Sequence, residues 1–237
     1  MRQLKTAIFL CAIALLLPSC KSDSTGPGDG KPNPEVVIPI QIQAGLGSTF
    51  TYEVIDYDAS GAEVDRDGGT MTLLSKAASV GGHDNVHVFT TEGVPVWNYQ
   101  VDAQDRMWEY RPPYSVNGEQ RPGIWVKLPT NGTGTTLTTL LDDTSSEGQM
   151  TTRTLQTMQH TGVGRVNVEV DGEIFSGSKV NSVITTTGYI NGEKFSESMI
   201  ESEAIYLPKF AIMAYQRVER PFNSGSQELR LVAIDLK

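Results

Sequence analysis

Three histidines, His83, His87 and His160, are the imidazoles of the 237-residue chain. His83 and His87 are four apart, the spacing that puts two metal ligands on one helix face. His83, however, follows Gly81-Gly82, and His87 stands in the alternating run Val86-His87-Val88-Phe89. A helical i,i+4 zinc pair is therefore not on offer. No cysteine or carboxylate cluster completes a tetrahedral set, so no metal site is expected and the histidines are expected to face solvent. Ser176-Gly177-Ser178-Lys179 places a hydroxyl beside an amine, but on an alternating strand Ser178 and Lys179 point to opposite faces. No Gly-x-Ser-x-Gly elbow occurs. Carboxylates recur at Asp142-Asp143, at Asp56 and Asp58, and at Glu197, Glu201 and Glu203. Glycoside hydrolysis would need two of them fixed on either side of a sugar, and acidic strand faces account for them without it. Asp58 to Asp67 (DASGAEVDRD) lacks the ligand spacing of a calcium loop. No catalytic residue, cofactor or metal is expected, and a hydrolase is the remote alternative.

Aromatic residues are the one suggestive group. Trp97, Tyr99, Trp108, Tyr110, Tyr114 and Trp125 fall close together. Large rings with polar tips line sites for lipid tails, glycans or peptides, which makes Trp97, Tyr99, Trp108, Tyr110 and Trp125 the candidate ligand-facing residues. The alternative is that the same rings pack a core. Arg111-Pro112-Pro113-Tyr114 reads as an exposed connection, because proline cannot join a central ladder.

The elements that must position these residues are strands. Phe50, Tyr52 and Val54 alternate with Thr51 and Glu53; Trp97, Tyr99 and Val101 with Asn98 and Gln100; Val166, Val168 and Val170 with Asn167 and Glu169. Period-2 alternation in β-branched and aromatic residues is the pattern of half-buried antiparallel strands. Turn signals separate the runs: Asp58-Ala59-Ser60-Gly61, Asp67-Gly68-Gly69, Gly81-Gly82, Asn117-Gly118, Asn131-Gly132, Asp171-Gly172 and Asn191-Gly192. A two-residue turn at Asp171-Gly172 would pair Val170 with Glu173 and Val168 with Phe175. One at Asn191-Gly192 would set Ile190 against Glu193, with arms reaching Ile184 and Met199. No capped 3.6-period stripe occurs, so residues 36–237 are predicted to form one all-β domain of about 11 to 14 strands. The threonine-rich segment from Thr130 to Thr161 reads either as exposed strands or as a flexible loop.

With 19 Lys+Arg against 28 Asp+Glu, the net charge is −9 and the pI about 4.8, which argues against a nucleic-acid partner. Two cysteines cannot make a disulfide scaffold. Arg2 and Lys5 precede the apolar run Ala7 to Leu17, which is short of the roughly 20 residues a permanent span needs. The run ends at Leu17-Pro18-Ser19-Cys20. This resembles the bacterial lipoprotein signal, with an aliphatic residue three before the cysteine and a small one just before it. The resemblance implies cleavage between Ser19 and Cys20, and acylation of Cys20, so that residues 1–19 are a signal peptide and Cys20 is the membrane anchor. Lys21 is not the aspartate that retains lipoproteins at the inner membrane, which implies the outer membrane in a host with two. Residues 20–35 (Cys20, then KSDSTGPGDGKPNPE) would be a flexible tether. Loss of Met1–Ser19 takes two cations and no acid, leaving 17 against 28 and a net charge of −11.

Three further stretches, GSTFTYEV from Gly47, VDGEIFSGSKV from Val170 and YLPKFAIM from Tyr206, resemble a group of uncharacterised β-rich bacterial envelope lipoproteins. Ala211 stands where that group has glycine. The resemblance implies a single strongly curved antiparallel sheet, a half-barrel or open barrel-like meander with minimal helix, similar to the half-barrels of the lipoprotein-localisation carriers. It does not carry their activity across, because function sits in a site and not in a fold. The expected function is that of a non-enzymatic, lipid-anchored envelope protein binding an apolar or amphipathic ligand in the concave face. The alternative is a structural or interaction lipoprotein of an envelope assembly.

Overall fold

The computed structural model describes residues 47–101, 106–116, 119–130, 132–220 and 224–237. The predicted signal segment, Cys20, the tether, the turn at Asn117-Gly118 and Asn131 lie outside the described residues. Fourteen strands form: β1 (Thr49–Tyr57), β2 (Glu63–Val80), β3 (His83–Thr91), β4 (Val94–Val101), β5 (Met107–Arg111), β6 (Tyr114–Val116), β7 (Glu119–Arg121), β8 (Ile124–Leu128), β9 (Gly134–Glu147), β10 (Met150–Val170), β11 (Glu173–Ile190), β12 (Glu193–Leu207), β13 (Ile212–Glu219) and β14 (Ser226–Asp235). One 3-10 turn, Pro208–Phe210, is the helical structure among the described residues. The threonine-rich segment is strand, in β9 and the first half of β10.

Twelve strands make one antiparallel sheet in the order β8-β5-β4-β3-β2-β1-β14-β13-β12-β11-β10-β9, and β6 and β7 pair as a separate hairpin. Taken as a ring, this order follows the chain, with the β1–β14 ladder joining its two arms. The break falls between β8 and β9, the two ends of the sheet. The sheet is thus nearly closed into an up-and-down barrel with one seam. Side chains bridge that seam. The Thr136 hydroxyl donates to the Lys127 carbonyl at 2.8 Å, the Tyr114 hydroxyl donates to the Leu140 carbonyl at 2.9 Å, and Arg121 meets Asp143 at 3.0 Å. The ladder stops because Pro129 follows the five-residue β8 and the chain then runs against β10 and β11. A Cβ on Gly162 would overlap the Gly132 carbonyl and stand 2.6 Å from that of Pro129, so only glycine admits this crossing. The Ser178 hydroxyl donates to the Thr130 carbonyl at the same place.

Turn chemistry sets the registers. Around Asp171-Gly172, Val170 faces Glu173 and Val168 faces Phe175, as the turn predicts. Around Asn191-Gly192, Ile190 faces Glu193, but a bulge between Gly188 and Tyr189 moves the longer arms by one residue. Ile184 therefore opposes Ile200, and Met199 opposes Thr185. Asp67-Gly68-Gly69 is not a turn. It lies inside β2, where these residues pair with Val54, Glu53 and Tyr52.

The inner face carries a core of rings. Phe50, Tyr52, Phe89, Tyr99 and Tyr206 join Met107, Leu128, Leu207, Phe210 and Ile212, all between 0 and 4% exposed. Phe50–Phe89, Tyr52–Trp97 and Tyr99–Tyr206 meet edge to face at 5.6, 5.5 and 6.2 Å. At about 1.5–3 kcal/mol for each large apolar side chain taken from water, this cluster dominates the stability of the fold. The Tyr52 hydroxyl, buried within it, donates to the Met213 carbonyl at 2.6 Å.

Candidate functional site

Alternation within each strand fixes which side chains share the inner face with this core. On β3 it is His87 with Phe89, whose partners on β4 are Tyr99 and Trp97. On β5 it is Met107, Glu109 and Arg111, opposite Val101 and Tyr99 on one side and Leu128, Val126 and Ile124 on the other. On β10 and β11, His160 stands directly against Ser182, and Met158 against Ile184. Val126, Met158 and Ile184 form a second apolar cluster, joined by Ile124, Leu140 and Ile200. A ring-filled floor lies at Tyr99 and Tyr206, and a polar layer of Glu109, Arg111, His87, His160 and Ser182 stands beside the smaller apolar cluster, with Glu109 and Arg111 directly opposite Val126 and Ile124.

Exposure rises along the same direction. On β12, Ala204 and Tyr206 are buried, Ile200 and Ser202 are half-buried, and residues from Glu193 to Met199 are exposed. The mouth is polar, with Gln156 Nε2 donating to the Thr186 hydroxyl at 3.1 Å. The part of β12 away from the aromatic core is thus exposed to solvent.

In the polar layer, His160 is 3% exposed, and its Nδ1 lies 2.6 Å from the Ser182 hydroxyl. Burial, reinforced by the positive Arg111, pushes its imidazole down to about 4, so it is neutral at neutral pH. Arg111 Nη2 stands 3.6 Å from Glu109 Oε2. Burial pushes the phenols of Tyr99 and Tyr206 well up, with Glu109 adding to both, so these hydroxyls stay protonated. Two nitrogens in this layer, Arg111 Nε and His160 Nε2, are shielded from solvent and have no hydrogen-bond partner among the described residues.

The candidate aromatic residues do not form one site. Trp97 and Tyr99 pack into the inner core, 6.2 Å apart, against Tyr52 and Tyr206. Trp108, Tyr110 and Trp125 lie on the opposite face of β5 and β8. Trp108 is 8% exposed with Lys127 Nζ 5.6 Å from its ring, and Tyr110 and Trp125 meet at 5.2 Å. The expectation that the histidines face solvent is corrected. His83, His87 and His160 are 8, 3 and 3% exposed: barrel closure covers His87 and His160 on the inner face, and Trp125 covers His83 on the outer one. His83 Nδ1 lies 3.0 Å from Gln100 Oε1, with its ring 4.5 Å from that of Trp125.

The polar layer was not singled out by sequence reasoning, since His160 and Ser182 are remote along the chain from each other and from the Glu109–Arg111 pair. Among the described residues no three His, Cys, Asp or Glu side chains gather as a metal site, and no helix is long and apolar enough to cross a membrane. On the outer face, Glu228 is 4% exposed and accepts from Arg230 Nε at 2.9 Å and from the Tyr57 and Tyr215 hydroxyls, both at 3.3 Å. This knot staples β1, β13 and β14 where the two arms of the ring meet. Compared with protein families, curated proteins and solved structures, the chain matches none.

Proposed function

We propose that this protein is a non-enzymatic, lipid-anchored protein of the bacterial cell envelope whose barrel-like domain binds an amphipathic molecule in its interior. The observation that supports the binding reading is the make-up of the inner face, where the buried polar groups Arg111 and His160 stand beside an aromatic core and a smaller apolar cluster. A molecule with one polar and one apolar part matches that combination. The anchor rests on Leu17 to Cys20 and the outer-membrane placement on Lys21. The full chain carrying Cys20→Ala should lose membrane fractionation and should bind a fluorescent alkyl probe saturably. Unchanged fractionation would overturn the anchor, and absence of saturable probe binding would overturn the ligand reading.

A structural or interaction role is the second reading. Met150, Phe195 and Met199 are 45, 63 and 57% exposed on the long hairpins β9–β10 and β11–β12. The two hairpin ends are tied together, because Asn191 N–H donates to the Thr151 carbonyl at 2.7 Å. Replacing Phe195 and Met199 with serine should abolish any co-purifying envelope protein if this reading holds, while leaving probe binding intact.

A further inference from the structure

The sheet also parts between β13 and β14, on the far side of the ring from the seam. These strands pair from Tyr215–Arg230 to Glu219–Ser226 and no further. Beyond that point Ile212 and Met213 stay with β12, whereas Leu231 to Asp235 follow β1. Val232 falls outside the β1 register, which steps between Thr51 and Tyr52, so β14 bulges where its partner leaves it. Main-chain N–H and C=O groups face the two sides of a strand by turns. Those of Leu231–Asp235 that face away from β1 therefore have no ladder partner among the described residues.

The parting leaves a cleft of about 420 Å³ on the outside of the sheet, with the end of β10 as its further wall. That volume lies within the roughly 300–1,000 Å³ of sites that bury a ligand. Val168, Ile205 and Val232 line it, all half-buried and still in reach of a guest. Its charges are Glu53, Glu169, Asp171 and Arg230. Glu53 is paired with Arg66 at 2.7 Å, and Arg230 with Glu228 at 2.9 Å. Glu169 and Asp171 are exposed and have no ion-pair partner among the described residues, so the cleft carries two uncompensated negative charges. An unpaired strand edge calls for another main chain, the apolar lining for aliphatic side chains, and the two carboxylates for cations. We propose that this cleft binds a short, extended, basic segment of a partner protein, which adds as a strand beside Leu231–Asp235. Its aliphatic side chains rest on Val168, Ile205 and Val232, and its lysines or arginines meet Glu169 and Asp171.

The full chain with Cys20→Ala is titrated with labelled acetyl-Lys-Val-Lys-Val-Lys-amide and with its glutamate counterpart, followed by fluorescence polarisation. The lysine peptide should bind saturably, at least tenfold tighter than the glutamate peptide, and should slow amide exchange in Leu231–Asp235. Glu169→Gln combined with Asp171→Asn should weaken it about fivefold; both side chains are exposed, and asparagine tolerates the φ of 51° at the turn. The lysine peptide N-methylated at both valines keeps its charge but cannot donate to a ladder, and should not bind. Equal binding of the lysine and glutamate peptides, binding of the N-methylated one, or binding that leaves exchange in Leu231–Asp235 unchanged would each overturn the inference. It does not rest on amphiphile binding, and failure of the alkyl probe would leave it standing.

Discussion

Protonation of His160 should couple the stability of the barrel to pH across a window that the carboxylates do not share. The ring is 3% exposed, and burial together with Arg111 brings its pKa from the ordinary 6.5 down to about 4. The folded state therefore favours neutral imidazole. The stability this contributes is complete above about pH 6.5 and is lost as pH falls toward about 4, because the unfolded chain takes up a proton that the folded chain refuses. At ~1.4 kcal/mol per pH unit the full loss is about 3 kcal/mol, of which about 2 kcal/mol is gone by pH 5. Asp58, Glu63 and Asp142 are held below ordinary carboxylate values of 3.8, 4.5 and 3.8 by hydrogen bonds from Ser60, Arg66 and Arg153, so their losses come at lower pH. Urea unfolding of the Cys20→Ala chain and of the same chain with His160→Gln, followed by tryptophan fluorescence from pH 7.5 to 5, isolates the contribution. The glutamine variant should start about 1 kcal/mol less stable through its weakened bond to Ser182, then fall more shallowly, so that the two curves converge or cross. Parallel curves across that range would refute the reasoning, because His160 would then titrate alike in both states.

Glu92 holds a positive φ of 50° while exposed in the β3–β4 turn, so Glu92→Gly should raise stability by ~0.5 kcal/mol in the same unfolding assay. Gly123→Ala should cost about 2 kcal/mol and shift tryptophan emission, since its Cβ would overlap Tyr110 Oη and displace the ring that meets Trp125. Glu228→Gln should cost about 2–3 kcal/mol by leaving Arg217 and Arg230 without their shared carboxylate, and a loss under 0.5 kcal/mol would show the knot to be incidental. Tyr114→Phe combined with Asp143→Asn should speed amide exchange in β8 and β9 and leave the β1–β14 ladder protected.

Local codes were legible in the sequence where a turn and its two arms are contiguous. Asp171-Gly172 and Asn191-Gly192 announced their hairpins because aspartate and asparagine tolerate the φ of 51° and 50° that the turn demands, and glycine follows. Glu92-Gly93 and Gly148-Gln149 turn the chain without an Asn-Gly or Asp-Gly signal and are not legible by it. Asp67-Gly68-Gly69 carried the signal without the turn, since pairing with β1 and β14's continuation of the sheet outweighed glycine's preference. The aromatic run shows the deeper limit. That Trp97 and Tyr99 share a face follows from period 2, as does the pairing of Trp108 with Tyr110. Which face each pair takes depends on the phase carried through the connection between β4 and β5, and no local pattern encodes that. The polar layer needs four strands in register before Arg111 and His160 come onto the same interior, so it is a property of closure.

Closure also explains why the two halves of the interior differ. The aromatic floor sits over β1, β3, β4 and β12, where hydrogen-bonded ladders are continuous across the β1–β14 junction and Glu228 ties the outer face. The smaller apolar cluster is built from Val126 and Ile124 on β8 and Leu140 on β9, the strands flanking the seam, together with Met158, Ile184 and Ile200. A seam held by Tyr114, Thr136 and the Arg121–Asp143 pair loses a few side-chain bonds on parting, whereas parting β1 from β14 would break a nine-residue register. The cheapest motion of this barrel therefore opens the smaller apolar cluster and spares the aromatic core. Among the described residues, the seam thus lies beside the polar layer and away from the part of the interior that must stay packed.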